Sequence, residues 1–599
     1  DTSVPNIMKV IEPLFLNELY EAFEKAKGDK KKLNDLLLRI SKIKIFDPAC
    51  GSGNFLIIAY KELRKLEMKI LKELGILAFS NISLSNFYGI EIDDFAHEIA
   101  QLSLWLAEHQ MNVEFYNQFG RTNPTLPLRE AGHIVQGNAC RLDWEKVCPK
   151  QEGDEIYVLG NPPYLGSTQQ NKIQKEDMAY VFKGFRNFKN LDYIGAWFKC
   201  ASDYIYNFNS KFCFVSTNSI AQGEQVNMIW PYVFSRNMQI QFAFQSFKWE
   251  NNAKNKAGVT VVIIGVANKN DEIKKIFFEK KVYYVKNING YLNAFKNIFI
   301  SKQSIPISNL PKMLSGNKPV DGGNLILTST EKDIFINNNK NSQYFIKPFI
   351  GADELINGTQ RFCLWIKQED LKEAKSIKDI NDRILNNQKF RLQSIDEGAR
   401  LLADKAYQFR DFFQSKESTI VVPQTTSENR EYIPIGFLSN EYIISNGVRA
   451  IFDAEAWIFS LLTSKIHNQW VQCVAGRLET RIQYSNTICY NTFPFPSITD
   501  KQKEELTMCT FRILEEREKH TEKTLAQLYD PDKMPEGLRE AHRLNDLAVE
   551  RCYRSKPFES DEERLEYLFK LYEQMIEEER NKGSLFPTET KIKKSKKKN

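Results

Sequence analysis

Several classes of protein are excluded by what this 599-residue chain lacks. It has no run of about 18 apolar residues, so no segment reads as a membrane span. It does not begin with Met and shows no basic-then-apolar leader, and its start reads as a piece cut from a longer polypeptide. The ten cysteines are scattered with no CxxC pair, and the six histidines do not cluster beside them. That pattern argues against a zinc site, any other metal centre or a disulfide framework, and fits a reduced, cytoplasmic compartment. Net charge is also scarce. The formal +6 is matched by the six lysines of the tail KIKKSKKKN, so a nucleic-acid surface would have to be a local patch.

What is present is ordinary globular material. With 42% hydrophobic and 26% charged residues the chain can bury several cores, and its length implies three or four domains at roughly 150 residues each. Residues 6 to 40 carry apolar groups at helical spacing, with the charge run KGDKKK reading as a loop. Strands and helices then alternate. IKIFD, FYGIEI, HIVQGN, EIYVLGNPPY, KFCFVSTNSI and VTVVIIGVA read as strands. FLIIAYKELRKLEMKILKEL, DDFAHEIAQLSLWLAEHQM and DYIGAWFKCASDYIYNF read as helices. This alternation implies a Rossmann-like α/β domain whose ligands bind at the carboxyl ends of parallel strands. Beyond about residue 270 shorter aromatic strands mix with helices, a mixed α/β region. From 500 the chain turns charged and helical, with DEERLEYLFKLYEQMIEEER its clearest amphipathic segment.

Two stretches carry the chemistry. In FDPACGSGNF an acid closes a strand and a Gly-x-Gly turn opens a helix, an arrangement that lets backbone N–H groups approach a ligand. A dinucleotide fold would need a third glycine and an acid about 20 residues on. Here that glycine is missing and Glu91, ending YGIEID, lies well past that spacing. Glu91 could accept two hydrogen bonds from a ribose diol, and Asp47 could hold an ammonium group, which a nicotinamide cofactor lacks. The second stretch, GNPPYLGS, is either a rigid strand-ending turn or a clamp. As a clamp, the Asn161 oxygen and the Pro162 carbonyl would take both hydrogens of a planar amino nitrogen, with Pro162 and Pro163 freezing the backbone and Tyr164 stacking on the ring.

FDPACGSGNF, YGIEID, GNA and GNPPY, in that order after DTSVPN, resemble the motifs of γ-class amino-methyltransferases that act on adenine in DNA. The resemblance implies a class I, S-adenosylmethionine-dependent methyltransferase fold, duplex DNA as partner and a target base flipped out of the helix. It assigns Thr2 and Ser3 to the cofactor's carboxylate end, Asp47 to its amino group, Glu91 to its ribose and Asn138 to its adenine. Pro48, Ala49, Gly51, Gly53, Phe55, Ile92 and Ala139 complete the cofactor site. Asn138 stands where an Asp is more usual. FKWENNAKNKAGVTVVIIGV resembles the late motif that adds a second ring to the flipped base, with Trp249 chosen first and Phe247 next.

VSTNSIAQGEQV, IGADELINGTQRFCLWI, AGRLETRIQYSNTICYNTFPFPS and LAQLYDPDKMPEGLREAHRLND resemble type IIL enzymes, which join restriction and modification in one polypeptide. The implied layout is a methyltransferase domain at 1–285, a target recognition domain at 286–500, a helical domain at 501–585 and a disordered basic tail at 586–599. The upstream nuclease domain of that family is expected to be absent, and YDPDKMPE lacks the downstream Glu-x-Lys of a nuclease core. Arg477, Arg481, Gln483 and Tyr484 are the candidate DNA contacts. The alternatives are N4-cytosine methylation, a protein-glutamine or RNA methyltransferase, and a non-catalytic specificity module.

Overall fold

The residues that alternate along the central strands decide the architecture. The computed structural model describes residues 3–76, 78–121, 132–249, 259–478 and 481–584, in two compact units that part between Phe299 and Ile300. Thr2 and the basic tail lie outside the described residues.

The first unit opens with helices α1 (Val4–Ile11), α2 (Asn17–Ala26) and α3 (Lys30–Lys42). Pro13 lacks the N–H that an unbroken α-helix needs, and a π-helical turn, Glu12–Leu16, joins α1 to α2. The expected KGDKKK loop is shorter than the sequence implies. Asp29 accepts from the N–H groups of Lys31 and Lys32 and caps α3, which draws the lysine run into its first turn.

Nine strands come next: β1 (Ile43–Asp47), β2 (Phe87–Glu91), β3 (His133–Gln136), β4 (Glu155–Gly160), β5 (Ser210–Thr217), β6 (Met238–Trp249), β7 (Val259–Asn268), β8 (Lys274–Phe278) and β9 (Lys281–Val285). They form one sheet in the order β3-β2-β1-β4-β5-β7-β6-β8-β9. The first five are parallel, and β7 inserts antiparallel between β5 and β6. The sheet is therefore not wholly parallel, and β6 is a strand that the alternation did not announce.

Both faces are covered, as near-continuous apolar strands require. Ile43 and Ile45, Tyr157 and Leu159, Cys213 and Val215, and Val261 and Ile263 share one core with α1 to α3, α4 (Asn54–Leu74) and α5 (Asp94–Phe119). The intervening residues point the other way. Phe46 meets Trp144 of α6 (Trp144–Val147), and Phe212 and Phe214 meet Phe198 of α8 (Gly195–Ile205). Helices α7 (Lys172–Val181) and α9 (Gly223–Ser235) flank α8. Among the described residues no helix is long and apolar enough to cross a membrane.

The second unit holds three small sheets and the C-terminal helices together. Asp500–Glu518 packs against both Ala456–Leu462 and Glu536–Tyr553, so the helical segment shares a unit with the strand-rich part. Arg391, 0% exposed, donates to the carbonyls of Pro319, Val320, Leu402, Lys405 and Gln408, which offsets the desolvation of its charge and ties loops around one helix. None of the ten cysteines forms a disulfide.

Candidate active site

Parallel strands end together, so the loops leaving β1, β2, β3 and β4 meet at one edge of the sheet. There a cavity of about 530 Å³ is lined by Pro48, Ala49 and Gly51 after β1, by Glu91 at the end of β2 and Ile92 after it, by Asn138 and Ala139 after β3, and by Asn161 and Pro163 after β4. Ile173 and Asp177 of α7, Tyr193 just before α8 and Trp197 of α8 complete its lining. Trp197 donates its indole N–H to the Pro48 carbonyl at 3.2 Å, fastening α8 to the glycine turn.

The turn needs its glycines: Gly51 and Gly53 have φ of +52° and +83°, and Gly53 caps α4. Glu91 fixes the turn from the side, accepting from Gly51 N–H at 2.8 Å through one carboxylate oxygen and from Asp93 N–H at 2.9 Å through the other. Each oxygen keeps a lone pair for a ligand hydroxyl.

Asp47 is 0% exposed and does not itself line the cavity. Its Oδ1 accepts from Ala49 N–H at 3.0 Å, while its buried Oδ2 has no partner. Burial pushes its carboxyl up to about 8; the Ala49 hydrogen bond lowers it in part, and the Glu91 charge raises it further. Gly160 makes room for this group: a Cβ there would lie 2.4 Å from Asp47 Oδ1, and its φ of +151° also disfavours a side chain.

Asn161 is the other orphan of the site. Its Oδ1 is buried without a hydrogen-bond partner while the residue lines the cavity, so a donor is called for. The loop after it is held by a residue that the sequence did not single out. Asp192 Oδ1 accepts from Leu165 N–H at 2.8 Å, Tyr193 N–H donates back to the Leu165 carbonyl at 3.0 Å, and Gln170 Nε2 bonds the same carbonyl at 3.0 Å. Pro162 is buried and Tyr164 half-buried; burial and then Asp192 raise the Tyr164 phenol above its ordinary value.

Other expected residues lie elsewhere. Ser3 sits at the N-terminus of α1, where its carbonyl accepts from the Asn6 and Ile7 N–H groups; neither Gly53, which ends the turn, nor the buried Phe55 lines the cavity. Trp249, at 3% exposure, is packed in the apolar core and is not available as a base platform in this conformation. Phe247 is half-buried, with the Lys9 ammonium 4.3 Å from its ring centroid.

In the second unit, strand alternation corrects the expected DNA-facing run. Ile482 and Tyr484 share the inward face: Tyr484 is 1% exposed and its hydroxyl pairs with His467 Nε2 at 3.0 Å. Arg477 is half-buried and donates to the carbonyl and side chain of Gln472. Arg481 is exposed and Gln483 half-buried.

The strand order, the antiparallel insertion of β7, the glycine turn after β1 and the acid at the end of β2 define a class I methyltransferase domain. Comparison with known proteins carries this to a family. Residues 23–279 match the MmeI DNA-methyltransferase domain, 294–497 the MmeI target recognition domain and 498–578 the MmeI C-terminal domain. The chain is 49% identical over 583 residues to DNA methyltransferase A of Bacillus subtilis (strain 168), covering 96% of this chain and 66% of that protein. It is similar to the solved structure of the type IIL restriction-modification enzyme MmeI in complex with DNA, at a TM-score of 0.88 and 40% identity, over 96% of this chain and 79% of that one. The chain belongs to the MmeI family.

Proposed function

We propose that this chain methylates N6 of an adenine flipped out of duplex DNA at a specific site, using S-adenosylmethionine, as the modification part of a cytoplasmic restriction-modification system. The observation that carries the proposal is the orphaned, buried Asn161 Oδ1 on the wall of a cavity that the glycine turn and Glu91 also line, with the unpartnered Asp47 Oδ2 buried beside that turn. The residues present fit that cofactor. The unpartnered Asp47 oxygen suits its ammonium group, Glu91 its ribose hydroxyls, and Asn138 with Ile92 its adenine, and the group supplies the electrophilic methyl when bound. The relation to a type IIL restriction-modification enzyme solved with DNA supports duplex DNA as the substrate.

The chain's own task is to prepare a poor nucleophile. The N6 lone pair of adenine is delocalised into the ring. Asn161 Oδ1 and the Pro162 carbonyl would accept the two N6 hydrogens and favour a tetrahedral nitrogen. Tyr164 would stack on the extruded base for about 1–3 kcal/mol. With the bound group supplying the methyl, the nitrogen held by Asn161 Oδ1 and the Pro162 carbonyl would give up one of its two hydrogens as a proton to water. Arg481 and Gln483 remain candidates for DNA contact, with residues 286–500 as the reader and 501–585 as its helical brace.

Labelled S-adenosylmethionine and mixed-sequence duplex DNA test this directly, by identification of the modified nucleoside. N6-methyl-2′-deoxyadenosine is expected. N4-methyl-2′-deoxycytidine, or label only in RNA or protein, overturns the proposal. Asn161→Ala is expected to lower turnover by about 10²–10³ while S-adenosylhomocysteine binding survives, and undiminished turnover would show the clamp to be misassigned.

A further inference from the structure

The cofactor wall contains an acid that no motif announces. Helix α7 is fixed at its start by a capping box between Asn171 and Gln174. It brings Asp177, 2% exposed, to the cavity. Three donors satisfy its carboxylate: Asn138 Nδ2 at 2.9 Å and the Tyr193 hydroxyl at 2.8 Å on Oδ2, and Arg141 Nε at 2.7 Å on Oδ1. The arrangement matters most for Asn138. An amide has two ends of nearly equal shape, and which end faces a ligand is set by its neighbours. Asp177 can only accept, so it takes the amide N–H; the Cys140 backbone N–H can only donate, and it meets Oδ1 at 2.9 Å. Both neighbours specify one orientation. Turning the amide over would set oxygen against carboxylate and N–H against N–H.

We propose that Asp177 is a positioning residue, which locks the Asn138 amide so that the cofactor site selects a 6-amino purine over a 6-oxo purine. This rests on the S-adenosylmethionine reading of the cavity. In the locked orientation Oδ1 keeps a lone pair for a 6-amino hydrogen, and Nδ2 keeps a hydrogen for the neighbouring ring nitrogen, the same pairing by which Asn reads adenine in DNA. A 6-oxo purine presents the opposite pattern. The residue type also accounts for Asn138 itself, because an Asp there would place two carboxylates within hydrogen-bonding distance of each other.

The test is calorimetric affinity for S-adenosylhomocysteine and S-inosylhomocysteine in the wild type, Asp177→Asn and the swapped double variant Asp177→Asn/Asn138→Asp. The wild type is expected to prefer the adenosyl compound by roughly 10- to 100-fold, the range of one mismatched buried hydrogen bond. Asp177→Asn allows the amide to turn, and the preference should fall to about threefold. The double variant sets carboxylate oxygens against both the 6-position and the ring nitrogen, a pattern that no longer pairs with adenine, so the preference should again be no more than about threefold; it also reads the proposal if the single variant folds poorly. An unchanged ratio in Asp177→Asn, equal loss of both affinities, or a double variant that keeps the full wild-type preference overturns the positioning role. A wild type that binds neither compound overturns the cofactor reading, and this proposal with it.

Discussion

Titration of the protein with S-adenosylhomocysteine at pH 7 should release close to one proton. The Asp47 carboxyl, held at about 8 by burial, keeps its proton at neutral pH while its Oδ2 has no partner. An arriving ammonium favours the ionised form, so binding expels the proton. If the complex needs the carboxylate, about nine-tenths of a proton is released at pH 7 and about half at pH 8, and the apparent affinity rises roughly ninefold from pH 6 to 7 and about fivefold from 7 to 8. The penalty at pH 7 is then about 1.4 kcal/mol. The ligand-free fold carries the opposite dependence. A carboxyl raised in the folded state contributes stability that is fully present below its unfolded value near 3.8 and is lost as pH rises through about 8. Calorimetry in two buffers of different ionisation enthalpy counts the protons, and Asp47→Asn should abolish both the release and the pH slope. A wild-type binding heat independent of buffer at pH 7, with affinity flat from pH 6 to 8, would refute the role given to Asp47.

Two further substitutions test the frame of each unit. Gly160→Ala sets a Cβ 2.4 Å from Asp47 Oδ1 at a φ of +151°, and thermal unfolding should show a loss of about 1–3 kcal/mol together with weaker S-adenosylhomocysteine binding; an unchanged melting temperature would mean that the β4 end adapts freely. Tyr484→Phe removes the hydroxyl that pairs with buried His467 and should cost about 1 kcal/mol in stability with DNA affinity unaltered. A selective loss of DNA binding would return Tyr484 to the DNA surface.

Local order carries a great deal here. The glycine turn, the acid at the end of β2 and the Asn-Pro-Pro-Tyr loop were legible because each is a short run whose backbone geometry is set by its own residues, and because parallel strands bring their carboxyl ends to one edge. Pro48, Ala49, Gly51, Glu91, Ile92, Asn138, Ala139, Asn161 and Pro163 do meet around one cavity. The orientation of side chains within the second unit was not legible to the same degree. Arg481, Ile482, Gln483 and Tyr484 are consecutive, yet the two-residue period of a strand sends Tyr484 into the core while Arg481 stays exposed. Trp249 is likewise a core residue because its strand runs into the apolar layer beneath α1 to α5.

The sequence by itself determined the alternating α/β rhythm, the position of the glycine turn and the make-up of the Asn-Pro-Pro-Tyr loop, since these depend on neighbours a few positions apart. Only the tertiary structure decided what supports them. Asp192 reaches back to Leu165 and Asp177 reaches back to Asn138, 27 and 39 positions along the chain. The physical reason is that a buried carboxylate is tolerated only where donors converge on it, and that convergence is set by how α7 and α8 pack against the sheet edge rather than by any spacing in the sequence.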